Sequence, residues 1–132
     1  MNQQDLNKYF STVWQSNISQ YQYSGLQLVN KVQSDETVLD VGCGNNPFKS
    51  LIKNLVGIDP ANIRADFQLT IEDFRKDIKF DVAFCLGSIN FGNEETIRNQ
   101  IDCIVQCLKP KARIYWRCNP GQHDHGNPQC EQ

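Results

Sequence analysis

The stretch Val38-Leu39-Asp40-Val41-Gly42-Cys43-Gly44-Asn45-Asn46-Pro47-Phe48 constrains this chain more than any other. Its first four residues carry apolar side chains on both parities of a strand, with Asp40 as the one acid. A strand of that kind is covered on both faces and belongs at the centre of a parallel sheet. Two glycines one residue apart follow at once. Glycine there lets the chain turn sharply at positive φ, and it lets a ligand approach the backbone without meeting a Cβ. Asn46 is placed to cap a helix and Pro47 suits a first helical turn, where its missing N–H is not needed. The pattern therefore predicts a strand, a bare turn and a helix over 47–54. This is the opening of a βα unit that binds ligands at the carboxyl end of its strand.

The rest of the chain repeats the alternation. Residues 3–33 read as one or two helices, with Leu6, Tyr9, Phe10, Val13 and Trp14 in one stripe and Leu26, Val29 and Val32 in a second; Gly25 marks the junction. Strands are expected at 37–41, 55–58, 66–69, 80–85 and 113–117, and a short helix at 71–77. The helix predicted over 94–108 has the strongest pattern. Ile97, Ile101, Ile104, Val105 and Leu108 form its apolar stripe, Asn93 its N-cap, Glu94 and Glu95 its acidic first turn, and Pro110 its stop. In the last strand Ile114 and Trp116 alternate with Arg113, Tyr115 and Arg117, which suits an edge or a half-exposed strand. Residues 118–132 read as a polar loop or tail. Strand–helix alternation predicts an α/β fold, a mostly parallel sheet with helices on both faces. At 132 residues the whole chain is expected to be one domain, with N-terminal helices over 1–33 and a binding core over 37–117.

Composition excludes several classes. A net charge of −2 argues against a broad nucleic-acid surface, which needs a basic face. No apolar run reaches membrane-spanning length. The opening MNQQDLNKYF has neither the basic cluster nor the apolar core of an export signal, so a cytoplasmic protein is expected. Six cysteines admit a disulfide framework, but irregular spacing without an export signal favours reduced thiols.

Two cofactor classes use a glycine turn of this kind. The dinucleotide fingerprint G-x-G-x-x-G would need a glycine at Pro47 and has no place for an acid at Asp40. Residues 38–44 resemble instead the first motif of the class I S-adenosylmethionine-dependent methyltransferases, V-L-D-x-G-C-G-x-G, with Asn46 in place of the last glycine. Other pieces resemble the same family in the same order over about residues 20–118. They are Val56-Gly57-Ile58-Asp59-Pro60 for its acidic second motif, Leu69-Thr70-Ile71-Glu72-Asp73-Phe74 for its adenine-contacting segment, 80–85 for its fourth strand and 108–114 for the approach to its fifth.

The resemblance implies a Rossmann-like sandwich and S-adenosylmethionine as cofactor. It implies contacts from Asp40, Gly42, Cys43 and Gly44, and from Asp59, 19 residues beyond Asp40, as the acceptor of the ribose hydroxyls next to Pro60. Thr70 and Ile71 would lie at the adenine, with Asp66 or Asp73 as alternative acids, and Leu86 at the end of the fourth strand. The acceptor residues of the family vary, so no catalytic residue is assigned. A small molecule or a protein side chain is favoured as acceptor over nucleic acid. The family usually has seven strands, the last two an antiparallel hairpin, whereas this chain is expected to end after five. Its fifth strand would then be an exposed edge that a second copy or a missing segment covers. A non-catalytic cofactor-binding scaffold, or the truncated core of a larger enzyme, is the alternative.

The remaining motifs have simpler explanations. Cys43 suits packing beneath the turn. Cys85 lacks the preceding proline of the cytosine-C5 enzymes, and Cys85-Leu86-Gly87-Ser88 stands where adenine-N6 enzymes have N-P-P-aromatic. Cys118, His123, His125 and Cys130 have the residue types of a zinc set but not the spacing, so no metal is expected; His123 or His125 is available there as a base. Tyr21 and Tyr23 suit either helix packing or a cover over the cofactor.

Overall fold

The computed structural model describes Gln4 and residues 26–74, 77–89 and 92–117. The elements are α1 (Leu26–Val29), β1 (Val38–Val41), β2 (Leu55–Ile58), β3 (Phe80–Leu86), α2 (Glu94–Gln106) and β4 (Leu108–Arg117). The four strands form one sheet in the order β2-β1-β3-β4, and every neighbouring pair is parallel. The α/β expectation holds. The expected helices and tyrosines before residue 26 and the Cys118–Cys130 set lie outside the described residues.

Covering both faces of β1 explains why its apolar residues fall on both parities, since all four of its residues, Asp40 included, are buried. On one face Leu39, Val41, Ile58, Ala83 and Cys85 pack against Cys103, Ile104 and Cys107 at the end of α2, with Ile71, Phe74 and Phe80. On the other face Val38, Leu55, Val82 and Phe84 pack under Phe48 and Ile52, with Leu28, Val29 and Val32 at the margin. Phe84 is fully buried and meets the ring of Phe48 edge-on at 5.8 Å and that of Tyr115 at 6.0 Å. Burial of such a ring contributes about 1.5–3 kcal/mol, and each edge-to-face pair roughly 0.5–1.5 kcal/mol more. Among the described residues Cys43, Cys85, Cys103 and Cys107 are buried free thiols.

Helix α2 starts as predicted, with the Asn93 side chain accepting the Thr96 amide at 2.8 Å. It ends at Gln106, before Pro110, because β4 already begins at Leu108. The approach to the last strand is thus strand, not loop. Its first half bulges against β3 between the pairs Phe80↔Leu108 and Val82↔Arg113, with Lys111 at φ 67°.

Three predicted elements are absent as such. Residues 47–54 form turns rather than a helix: a single α-type bond, Ile52 N–H to Phe48 O at 2.9 Å, suffices to bury Phe48 and Ile52. Eight residues between a turn and a strand are too few to offset helix nucleation. The strand expected at 66–69 is reduced to one bridge, Ile58↔Phe67. The Asp66 carboxylate takes the outward Gly57 amide at 2.8 Å, where a strand would place a carbonyl. The helix expected at 71–77 is seen, over the described residues 71–74, as a turn in which Thr70 accepts the Asp73 amide. Among the described residues no helix is long and apolar enough to cross a membrane.

Candidate functional site

Parallel pairing brings the carboxyl ends of β2, β1 and β3 side by side, Val41 opposite Ile58 and Asp40 opposite both Gly57 and Phe84. The chain leaves β1 through Gly42 at φ 73° and Gly44 at φ 58°, and Asn46 follows at φ 61°. Asparagine tolerates this left-handed region better than other residues with a side chain. The Gly42 and Cys43 amides both donate to Ile58 O, at 2.9 and 3.0 Å, which pins the turn to the end of β2.

Asp59 stands immediately past β2 and faces that turn. Its Oδ2 accepts the Gly44 amide at 3.0 Å and its Oδ1 the Ala61 amide at 2.8 Å, the latter closing a local turn through Pro60. Burial raises the Asp59 pKa, against the pull of these amides. The Asn62 amide also bonds it, and a carboxylate has about four lone-pair positions, so capacity for a further donor remains. Asp40 lies beneath the turn, 3% exposed. Burial first, and the neighbouring Asp59 charge second, push its pKa up to about 7.

A second set of contacts holds the turn in place. The Asn46 Nδ2 donates to Arg64 O at 3.1 Å, and Asn62 Nδ2 donates to Asn45 Oδ1 at 2.8 Å. Gly57 leaves room for this arrangement: a Cβ there would overlap Asn46 Oδ1 and lie 2.9 Å from Cys43 Sγ. Asp66 also accepts from Lys49 at 3.1 Å. The Gly57 amide, Lys49 and Asn46 outweigh the desolvation of Asp66 and leave its pKa lowered. Cys43 is buried beneath the turn, and desolvation followed by the surrounding acids drives its thiol pKa well above the ordinary range. Its side chain packs beneath the turn, and burial favours the neutral thiol.

The other residues singled out in the sequence are placed less uniformly. Thr70 is half-buried, with its hydroxyl accepting the Asp73 amide at 3.3 Å. The side chain of Ile71 is 3% exposed and belongs to the core beneath α2. Leu86 ends β3 and packs on the face of Phe84 and Tyr115. Asp73 is exposed, and Asp66 braces Gly57. Cys85 is fully buried.

Ser88, which the sequence did not single out, forms the wall of the turn on the β3 side. Its Oγ donates to Val41 O at 2.6 Å, and a Cβ on Gly42 would overlap the Ser88 Cβ. The bareness of Gly42 therefore serves the approach of Ser88. A glycine followed by serine at the end of an apolar strand was the available signal.

No family model and no curated protein sequence matches the chain. Solved structures do match its fold. Over 81% of this chain and 67% of the other, it superposes on the N-methyltransferase NodS from Bradyrhizobium japonicum WM9 in complex with S-adenosyl-L-homocysteine, with a TM-score of 0.59 and 18% identity. The DhpI–S-adenosylhomocysteine complex matches with a TM-score of 0.58 and 11% identity, over 84% of this chain and 66% of that one. Magnesium protoporphyrin IX methyltransferase (ChlM) from Synechocystis PCC 6803 with bound S-adenosylmethionine matches with a TM-score of 0.60 and 16% identity, over 79% and 70%. The chain spans about two thirds of the length of these proteins. Its fold is that of the S-adenosylmethionine-dependent methyltransferases.

Proposed function

We propose that this chain is the cofactor-binding core of an S-adenosylmethionine-dependent methyltransferase whose acceptor is a small molecule or a protein side chain. One observation carries the reading. The glycine turn after β1 and the acid after β2 meet at the same end of the sheet, Gly44 N to Asp59 Oδ2 at 3.0 Å. The donor set fits such a cofactor. The lone-pair capacity left on Asp59 suits a ribose hydroxyl as donor, and its carboxylate, held only by neutral amides beside the turn, suits a cationic ligand. Gly42, Cys43 and Gly44 would support the ligand from the turn, and Pro60, Thr70, Ile71 and Leu86 would border it. Where their side chains face the core, Cys43 and Ile71 would do so through the backbone.

When bound, the cofactor supplies a sulfonium methyl group, transferred as the C–S bond breaks with its electron pair retained on sulfur. The protein's part is alignment. The fixed turn Gly42 to Gly44 and Asp59 would hold the donor, and what such a site would supply is alignment of the donor with an acceptor nucleophile. A general base is needed only where the acceptor must lose a proton. The net charge of −2 favours an acceptor other than nucleic acid.

A second reading, a cofactor-binding scaffold or the core of a larger assembly, draws on β4. Its ten residues pair with β3 on one side only among the described residues, and Trp116 is 42% exposed. A second copy covering this edge belongs to that reading.

Calorimetry with S-adenosylhomocysteine and with NAD tests the first proposal. Binding of the former alone is expected, and Asp59→Ala is expected to weaken it by about 1.5–3 kcal/mol, roughly 10- to 150-fold. Binding of NAD instead, or unchanged affinity in the variant, overturns it. Sedimentation separates the second reading: a dimer that binds the nucleoside but methylates no acceptor is its signature.

A further inference from the structure

Asp40 and Gly57 are register partners on β1 and β2, so their side-chain positions share one face of the sheet, about 4.8 Å apart. Gly57 leaves its position bare, and the glycine turn fills it: a Cβ there would overlap Asn46 Oδ1 and lie 2.9 Å from Cys43 Sγ. Asn46 is 9% exposed. Its Nδ2 donates to Arg64 O, but its Oδ1 has no hydrogen-bond donor among the described residues. An unpaired buried acceptor is costly, so a donor beside it relieves a standing penalty. Asp40, 3% exposed, stands at that place; after desolvation, its charge is the largest influence on the Cys43 thiol in the same space. A protonated carboxyl carries one O–H donor, whereas a carboxylate only accepts. The titratable groups around Asp40 are Cys43 in the turn, Asp59 past β2, and Asp66, which also acts on Cys43 and is paired with Lys49; β3 meets it in register with Phe84. Burial first, and the Asp59 charge second, raise its pKa to about 7.

We propose that in the free protein Asp40 holds a proton that it donates to Asn46 Oδ1, and that it releases this proton when S-adenosylmethionine binds, so that the chain separates the charged methyl donor from neutral-sulfur S-adenosylhomocysteine. This rests on the cofactor reading above, which places a sulfonium cation at the glycine turn that Asp40 underlies. On binding, the carboxyl O–H bond breaks, its electron pair stays on oxygen and the proton passes to the buffer. The carboxylate then has a cation for a neighbour in place of a proton, in a site where charges attract more strongly than in open water. Once the sulfur is neutral, the carboxylate is left beside the Asp59 charge without compensation. Asp40 then takes a proton back from solvent, restores its bond to Asn46 and holds the product less firmly than the donor. The amino and carboxylate groups are common to donor and product, so the charge on sulfur is what Asp40 distinguishes.

Calorimetry with S-adenosylmethionine and with S-adenosylhomocysteine, each at about pH 7 in two buffers of different ionisation enthalpy, counts the protons exchanged on binding. If neither nucleoside binds, the cofactor reading fails and this inference with it. The expected result is greater proton release with S-adenosylmethionine than with S-adenosylhomocysteine. Because the cation favours the carboxylate, the preference for S-adenosylmethionine should grow with pH, by about three- to tenfold from about pH 6 to about pH 8. In Asp40→Asn, whose amide donates to Asn46 Oδ1 in the carboxyl's place, that preference should stay constant within about twofold. Equal proton counts for the two nucleosides, or a pH-dependent preference retained in Asp40→Asn, overturns the inference and leaves the cofactor reading standing. The hydrogen bond is read in the free protein: the side-chain carbonyl ¹³C resonances of Asp40 and Asn46 should titrate with a common midpoint. An Asn46 resonance that stays flat while Asp40 titrates equally overturns the inference. Should Asp40→Asn fail to fold, this titration and the wild-type proton counts decide the matter.

Discussion

The two halves of the sheet handle charge differently. In the β3–β4 half, charges toward the amino ends of the strands are cancelled in partly exposed pairs: Lys109 meets Asp81 at 3.2 Å, and Arg113 meets Glu36 at 2.8 Å. In the β1–β2 half, Asp59 is held by neutral backbone amides, while Asp40 is buried with the Asp59 charge as its neighbour. Asp66, farther out, has a cationic partner, Lys49. Paired charges on an edge contribute little and keep other strands away. Buried, uncancelled carboxylates cost stability, so they mark where the fold is arranged for something other than its own stability.

The largest expected effect comes from closing the gap on which the β1–β2 half depends. Gly42→Ala adds a Cβ that overlaps Ser88 and forces alanine to φ 73°. Left-handed backbone costs about 1–2 kcal/mol and overpacking about 1–3 kcal/mol, so a loss of about 2–5 kcal/mol is expected in denaturant titration. Adding Ser88→Gly removes the overlap, and the double variant should be more stable than Gly42→Ala alone even though Ser88→Gly loses a hydrogen bond. A double variant less stable than the single one would show that Ser88 is not what Gly42 accommodates.

The same contrast separates what was legible in the sequence from what was not. Strands β1, β2 and β3 could be read because each is apolar on both parities, as only strands buried on two faces are. The start of α2 could be read because Asn93, Glu94 and Glu95 signal it locally. The meeting of Gly44 with Asp59 followed from the resemblance in motif order together with parallel topology. What escaped is decided by side chains taking over backbone bonds. Asp66 replaces a strand at Gly57, and Thr70 accepts the amide of Asp73 where a helix was expected to begin. Ser88 reaches the glycine turn across the bare Cα of Gly42, and Arg117 packs on the bare Cα of Gly87. Nothing in the periodicity of a chain records such long-range substitutions.

Asp40 provides a smaller effect whose pH dependence identifies its source. Its folded-state pKa is raised to about 7 from an ordinary 3.8, so burial of the charge destabilises the fold once the pH exceeds the unfolded value. The penalty grows through the window between these values and is complete above it. Fully ionised, a shift of this size corresponds to about 4 kcal/mol, from which an amide's own burial cost of about 1–3 kcal/mol is deducted. Asp40→Asn is therefore expected to stabilise the chain by roughly 1–3 kcal/mol at about pH 8. The gain should disappear near pH 4, where the wild-type carboxyl is neutral. An equal effect at both pH values would mean that the charge is not the cause.

The edge of the β4 half should respond with the opposite sign and the least amplitude. Glu36 accepts from both terminal nitrogens of Arg113, each at 2.8 Å, and from the Gln33 amide. The arginine first and that amide second hold its pKa below the ordinary 4.5. A lowered carboxyl pKa contributes stability above the unfolded value and loses it as pH falls through the folded one. Glu36→Gln should therefore lower the melting temperature slightly at neutral pH and not at all in acid, the reverse of Asp40→Asn. Salt separates the two sites further. At about 1 M the screening length is roughly 3 Å, so most of the exposed pair's contribution should vanish. The effect of Asp40→Asn, which arises from burial, should persist. If both variants faded alike in salt, the carboxylate beneath the glycine turn would be as well hydrated as the one on the edge, and the contrast between the two halves would not exist.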